Sequence, residues 1–377
     1  MSFAQFGLNK SVLQGVYGAG QGTPTEIQHK VIPLILRGRD VSGCAPTGTG
    51  KTAAFILPIL TQLLASTNRP TFRPRVLVLA PTRELAQQLE ACFRVYGSYT
   101  SLRFLSIVGG VGFNNQVRDL KNGADVLIAT AGRLQDHIKR RSVDLSTIQT
   151  FVIDEADRMY DMGFIHDTTR IASVLPHRRQ TLLFSATLPQ EVRKIAATLQ
   201  RNPVYIQVGK TKAPKESIRQ YFYSVTQADK TTLLFNIINT EDIESMLVFL
   251  RKRTAAERLK SHLERKGIAA EVLHGERSQN QREQALSGFR RGVVTVLIAT
   301  DVASRGLDIS GVSHVINFDT PTGSDDYIHR IGRTGRAEKK GVAYTFVSAE
   351  EENLFKAIIS DTGTESDLIT CENRLQL

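Results

Sequence analysis

Ala45-Pro46-Thr47-Gly48-Thr49-Gly50-Lys51-Thr52 has the residue types and spacing to hold a triphosphate. Gly48 and Gly50 let backbone N–H groups turn toward phosphate oxygens, with a helix dipole behind them. Lys51 can reach the β- and γ-phosphates, and the Thr52 hydroxyl is a hard oxygen suited to Mg²⁺. The loop follows a short strand, Asp40 to Gly43, and precedes an apolar helix from Ala53, which is the context such a loop requires. Ala45 stands at the first glycine of the general pattern.

Asp154 and Glu155 place two adjacent carboxylates at the end of the apolar run Phe151-Val152-Ile153. The first is positioned to face Mg²⁺, and the second to orient or deprotonate an attacking water. Together with the loop they predict binding of a nucleoside triphosphate with Mg²⁺ and its hydrolysis. Far downstream, His329-Arg330-Ile331-Gly332-Arg333-Thr334-Gly335-Arg336 adds a cluster of arginines.

These groups need a frame. At 377 residues, two domains are expected, each able to bury its own core. Apolar runs rich in β-formers occur at 75–80, 124–130, 151–154 and 180–185, with helix-length segments such as Arg83 to Tyr96 between them. Near-continuous apolar strands imply burial on both faces, and their alternation with helices predicts a doubly wound parallel sheet. Gly209 to Ser217 is polar, with a Gly and a Pro, and reads as a linker. The pattern then restarts at 246–249, 270–274, 294–300 and 314–319. The expectation is one α/β domain over 1–209, a linker over 210–217 and a second α/β domain over 218–377. Leu-Ile-Ala-Thr recurs at 127–130 and 297–300, which favours two related domains.

The formal net charge is +11, which suits a polyanionic partner, nucleic acid above all. The apolar runs are too short to span a bilayer. The first residues lack a basic region followed by an apolar one, so no secretory signal is expected. Cys44, Cys92 and Cys371 lie far apart, without metal-ligand spacing, and predict a reducing, cytoplasmic setting.

The whole set resembles the DEAD-box RNA helicases, whose box is literal in Asp154-Glu155-Ala156-Asp157. The resemblance runs from Phe3 to Phe346 and implies two tandem RecA-like domains, ATP and Mg²⁺ as cofactors, and RNA held across the two domains through its backbone with low sequence specificity. Pro24-Thr25-Glu26-Ile27-Gln28 is similar to the adenine-recognising Q motif. The Gln28 amide offers the donor and acceptor that suit adenine, and Phe3 lies where the family stacks an aromatic on that base. Pro81, Thr82 and Arg83, the pair Gly109 and Gly110, and Thr130, Gly132 and Arg133 match RNA-groove motifs of the first domain. Ser185-Ala186-Thr187 matches the motif that couples hydrolysis to unwinding, with Asp157 of the box. In the second domain, Gln279, Arg282, Thr300 and Asp301 match RNA contacts, and Gly306 and Asp308 match ATP contacts. Arg333 and Arg336 match the arginine fingers that complete the hydrolytic site.

Three positions depart from the family pattern: Ala131 for proline, which loosens the turn before Arg133; Gln21 for an aromatic, which weakens packing near the adenine; and Pro46 for glutamine. The segments 45–48, 157–164 and 248–253 resemble the bacterial branch that assists ribosome assembly. Ribosomal precursor particles acted on by a monomeric core are therefore the expected setting. An ATP-gated RNA clamp and a DNA-directed translocase are the rival readings. The intact Glu155, Ser185-Ala186-Thr187 and paired arginines favour the helicase over the clamp.

Overall fold

The structure is a computed structural model that describes residues 2–46, 48–66, 73–209, 217–300, 309, 311–335, 341–364 and 368–370, apart from the side chains at 279, 325 and 370. The chain divides into two units, Met1–Thr211 and Lys212–Leu377. The first is built on strands β1 (Val41–Cys44), β2 (Val76–Ala80), β3 (Phe104–Ile107), β4 (Val126–Thr130), β5 (Thr150–Ile153), β6 (Gln180–Ser185) and β7 (Val204–Gln207). They form one sheet in the order β3-β4-β2-β5-β6-β1-β7, with every pairing parallel.

Both faces of this sheet are buried, and the side chains show how. Val76, Val78, Val126, Ile128, Val152 and Leu182 enter one core cluster. Their neighbours Leu77, Leu79, Leu127, Ala129, Ile153 and Leu183 enter another. Side chains alternate across a strand, so a strand covered on both faces must be apolar at every position. Helices α1 (Lys10–Gly18), α2 (Glu26–Leu36), α3 (Lys51–Ala65), α4 (Arg83–Tyr96), α5 (Phe113–Lys121), α6 (Ala131–Lys139) and α7 (Ala156–Asp161) include those that carry the candidate site.

The second unit contains β8 (Ile218–Ser224), β9 (Met246–Leu250), β10 (Ala270–Leu273), β11 (Val296–Thr300), β12 (His314–Asn317), β13 (Gly341–Val347) and β14 (Leu368–Thr370). Their order is β10-β11-β9-β12-β13-β8-β14. Strand for strand, this is the order of the first sheet. The repeated Leu-Ile-Ala-Thr falls on β4 and β11, which hold the same place in the two sheets. The expected class, two tandem α/β domains on doubly wound parallel sheets, is the observed one. No described helix is long and apolar enough to cross a membrane.

Within the second unit, Lys230 opens the helix Lys230–Thr240 that follows β8. It is wholly buried, ion-paired with Glu351 at 2.7 Å and with Asp319 at 3.8 Å. A buried ammonium is tolerated only when so paired, and removing one partner of such a pair typically costs about 3–5 kcal/mol.

Candidate functional site

Because the strands of the first sheet are parallel, the segments after β1, β2, β4, β5 and β6 all emerge at one edge, the edge where ligands bind in open α/β sheets. The phosphate loop leaves β1 there. Ala45 N donates to Ser185 O at 3.1 Å and extends the ladder by one residue. The Thr49 hydroxyl donates to Pro46 O at 2.7 Å, so Pro46 serves the loop through its carbonyl. Gly48 and Gly50 have φ of 82° and 89°, a backbone that side-chain-bearing residues rarely adopt. Lys51 then opens α3 and donates to Ala45 O. Burial holds its ammonium below the ordinary lysine value, while Asp154, Glu155 and Asp157 pull the other way.

Asp154 follows β5, and its buried carboxyl is pushed up to about 7, first by burial and then by the Glu155 charge. The Lys51 ammonium opposes this shift, and a further cation beside Asp154 would favour its ionised form in the same way. Among the described residues no three His, Cys, Asp or Glu side chains form a cage. Asp154 with the Thr52 hydroxyl is therefore a sparse hard-oxygen set, which suits Mg²⁺ held jointly with phosphate oxygens and water. Glu155 caps α7 with left-handed φ 53° and ψ 52°, and its carboxylate takes a 2.7 Å ion pair from the buried Arg158. Non-glycine residues in this region are held there by their surroundings, and such positions cluster at functional sites.

Asp157 joins two motifs. Its Oδ2 accepts from Ala186 N at 3.2 Å, Thr187 N at 2.9 Å and the Thr187 hydroxyl at 3.1 Å. Its own N–H donates to the Ser185 hydroxyl at 3.1 Å. Four hydrogen bonds therefore tie the box to the segment 185–187.

On the Q-motif side, Gln28 is buried in the first turn of α2. Its Oε1 accepts from Thr25 N at 2.9 Å and its Nε2 donates to Gly50 O at 3.1 Å. One amide hydrogen and one oxygen lone pair remain, the complement an adenine edge needs. Gln28→Ala is expected to weaken ATP and narrow its advantage over GTP by about 1–3 kcal/mol, the range for leaving polar partners unmatched. Comparing KM for the two nucleotides tests this, and equal use of both by the wild type would refute adenine selection.

Two expectations here are corrected. Phe3 is not an open platform for a base: the 3₁₀ turn Phe3–Phe6 folds its ring into the core, 0% exposed and edge-on to Phe6 at 6.2 Å. Gln21 does not slacken the Q-motif segment, because its amide donates to the Tyr96 hydroxyl at 2.7 Å and pins the segment to α4.

At the other end of the edge, Pro81 and Thr82 lead into α4. Thr82 is its N-cap, with its hydroxyl accepting from Leu85 N at 3.3 Å. Arg83 lies across Gly109 and Gly110: a Cβ on Gly110 would stand 2.1 Å from its guanidinium. The glycine pair is thus explained by close approach. Thr130 ends β4 and Ala131 begins α6 directly, so the helix supplies the rigidity that the missing proline would have given. A Cβ on Gly132 would meet open space. Arg133 is half-buried, its Nη1 donating to Val111 O at 2.8 Å and to Gln116 Oε1 at 2.9 Å.

In the second unit, Gln279 opens the helix Gln279–Arg290, Arg282 lies buried with Nη1 3.4 Å from His274 O, and Thr300 ends β11. Arg330 is tied to Asn317 Oδ1 and Asp319 O at 3.2 and 2.9 Å. Arg333 is 8% exposed, and its carbonyl accepts from Gly311 N at 2.8 Å. Thr47, Asp301, Gly306, Asp308, Arg336, the side chain of Gln279 and linker residues 210–216 lie outside the described residues.

Sequence reasoning missed Arg158, the partner of Glu155. Its signal was available: a cation three residues on in a helix faces the carboxylate.

Residues 25–195 match the DEAD/DEAH box helicase family, and residues 229–338 match the helicase conserved C-terminal domain. The chain is 43% identical over 358 residues to the ATP-dependent RNA helicase SrmB of Haemophilus influenzae, covering 94% of this chain and 82% of that protein. It is 42% identical over 366 residues to the DEAD-box ATP-dependent RNA helicase CshA of Bacillus cereus, covering 97% and 69%. Its fold is similar to that of S. cerevisiae Dbp5 bound to RNA and ADP BeF3, with a TM-score of 0.88 at 33% identity, covering 99% of this chain and 96% of that one.

Proposed function

The chain belongs to the DEAD-box ATP-dependent RNA helicases, and we propose that it locally opens short RNA duplexes, or remodels RNA–protein complexes, during ribosome assembly or RNA turnover. The observation that carries the reading is the convergence, at one edge of one sheet, of Lys51 after β1 with Asp154 and Glu155 after β5, and of Asp157 clamped to 185–187 after the intervening β6. The segments 45–48, 157–164 and 248–253 support the ribosome-assembly setting. Ribosomal precursor particles are the proposed substrate, the cytoplasm the proposed location, and a monomer the proposed working form.

In this reading the N–H groups of 45–50 and the Lys51 ammonium bind the phosphates, and Gln28 binds the base. Thr52 and Asp154 hold Mg²⁺, which when bound neutralises phosphate charge. Glu155, oriented by Arg158, holds the attacking water and takes its proton. Arg333 and Arg336, with Gly306 and Asp308, complete the site from the second domain. Asp157 transmits the state of the nucleotide to Ser185, Ala186 and Thr187. Thr82, Arg83, Gly109, Gly110, Thr130, Gly132, Arg133, Gln279, Arg282, Thr300 and Asp301 line the path of the RNA backbone. Unwinding of an RNA duplex with ATP, but not with a non-hydrolysable analogue bound equally well, tests the helicase against the clamp. ATPase stimulation by RNA and by DNA of one sequence tests it against the DNA translocase.

Arg133→Ala is expected to weaken poly-U and a mixed-sequence strand equally, and only with an ATP analogue present. Each phosphate contact adds roughly −0.7 to the slope of log affinity against log salt for a single strand, so the slope becomes shallower by about that much. Titration at several salt concentrations reads both effects. A loss confined to one sequence would mean that Arg133 reads a base.

A further inference from the structure

A polar network behind the RNA-facing edge has no place in the reading above. Gln116, on α5, is 3% exposed, and His137, on α6, is 0% exposed. The Gln116 Nε2 donates to Val108 O at 2.9 Å, which fixes the amide orientation and turns Oε1 toward α6. That single oxygen meets Arg133 Nη1 at 2.9 Å and His137 Nε2 at 3.2 Å. Oε1 can only accept, so Nε2 carries an imidazole proton, and Nδ1 lies 2.8 Å from the Ser142 hydroxyl, which also donates to His137 O at 3.1 Å. The imidazole is also stacked on Phe113, with centroids 4.3 Å apart, and Arg140 lies 4.3 Å from the centroid of the same ring. Burial, Arg133 and Arg140 together keep His137 below its ordinary value, against Asp136, so a neutral ring with one N–H is the form that fits.

The consequence falls on Arg133. Both of its hydrogen bonds use Nη1, one to Val111 O beside the glycine pair and one to Gln116. The Nη2 and Nε hydrogens, on the fork that binds phosphate oxygens side by side, remain for a ligand. We propose that Gln116, held in place by His137, is a positioning residue that clamps one edge of the Arg133 guanidinium so that the other faces the RNA phosphate. This rests on the reading of Arg133 as a phosphate contact.

The test is a double-mutant cycle on the full chain, with poly-U as the RNA. Gln116→Met keeps the volume and removes the acceptor. It should raise KM for RNA in the ATPase assay about tenfold, the loss expected for one charge-assisted hydrogen bond. It should leave kcat at saturating RNA and KM for ATP within about twofold, and flatten the salt slope as Arg133→Ala does, by roughly 0.7. The double variant should bind no worse than Arg133→Ala alone, because coupled residues are not additive. His137→Phe keeps the stack on Phe113 and should act in the same direction more weakly; it carries the test if Gln116→Met does not fold. If Arg133→Ala weakens RNA while Gln116→Met leaves KM and slope unchanged, or if the two losses add, the positioning role is overturned. If Arg133→Ala itself has no effect, the phosphate-contact reading fails and the proposal fails with it.

Discussion

Glu155→Gln is expected to leave ATP binding nearly intact and to lower RNA-stimulated turnover by about a hundredfold or more, the scale of losing a group that orients and deprotonates water. The surroundings make this a clean substitution. Glutamine keeps an oxygen for the 2.7 Å contact from Arg158, so that buried guanidinium is not stranded. It also follows the same left-handed backbone, since nothing about the change adds a branch at Cβ. Turnover stops while nucleotide stays, so the variant should accumulate bound to RNA. Steady-state ATPase and RNA retention after competitor challenge read the two effects. An unchanged ATPase rate would remove Glu155 from the mechanism.

Separating the two units should have a still larger effect. The phosphate loop, both carboxylates and Asp157 all belong to the first unit, and Arg333 and Arg336 to the second. The first unit has its own core on both faces of its sheet, formed entirely by residues before 209, so a fragment of residues 1–209 should fold. It should bind ATP weakly and hydrolyse almost none, with or without RNA. Arginine fingers contribute roughly 10³–10⁵ in rate in comparable phosphoryl-transfer enzymes. Robust RNA-stimulated hydrolysis by the fragment would show that the arginines are dispensable.

The central strands were legible in the sequence because burial on both faces makes them apolar throughout. β2, β4, β5, β6, β9 and β11 all begin or end within two residues of their apolar runs. The edge strands of the first sheet were not. β7 alternates half-buried and exposed residues over Val204–Gln207, and β3 is half-buried at its middle two positions. Neither presents a continuous apolar signal. At the site, glycine and charge spacing identified the phosphate loop and the carboxylates. The burial of Phe3 was invisible, because a phenylalanine near a loop has the same letter whether it packs inward or waits for a base. The hub at Asp157 was legible as a motif and not as a set of bonds, since its partners lie 28 to 30 residues away.

The matched strand orders give the buried Lys230 a counterpart. Lys51 opens the helix after β1, and Asp154 follows β5. Lys230 opens the helix after β8, and Asp319 lies just beyond β12, the counterparts of those strands. A lysine thus recurs at the start of the helix after the first strand of each sheet, while Asp319 stands in the register of Glu155, one place beyond that of Asp154. In the second copy, Val225 to Asp229 contains no glycine to turn amides toward a phosphate, and Glu351 occupies the ammonium. In the second unit the lysine at this station is an internal strut, its charge held by Glu351 and Asp319 and turned away from any ligand.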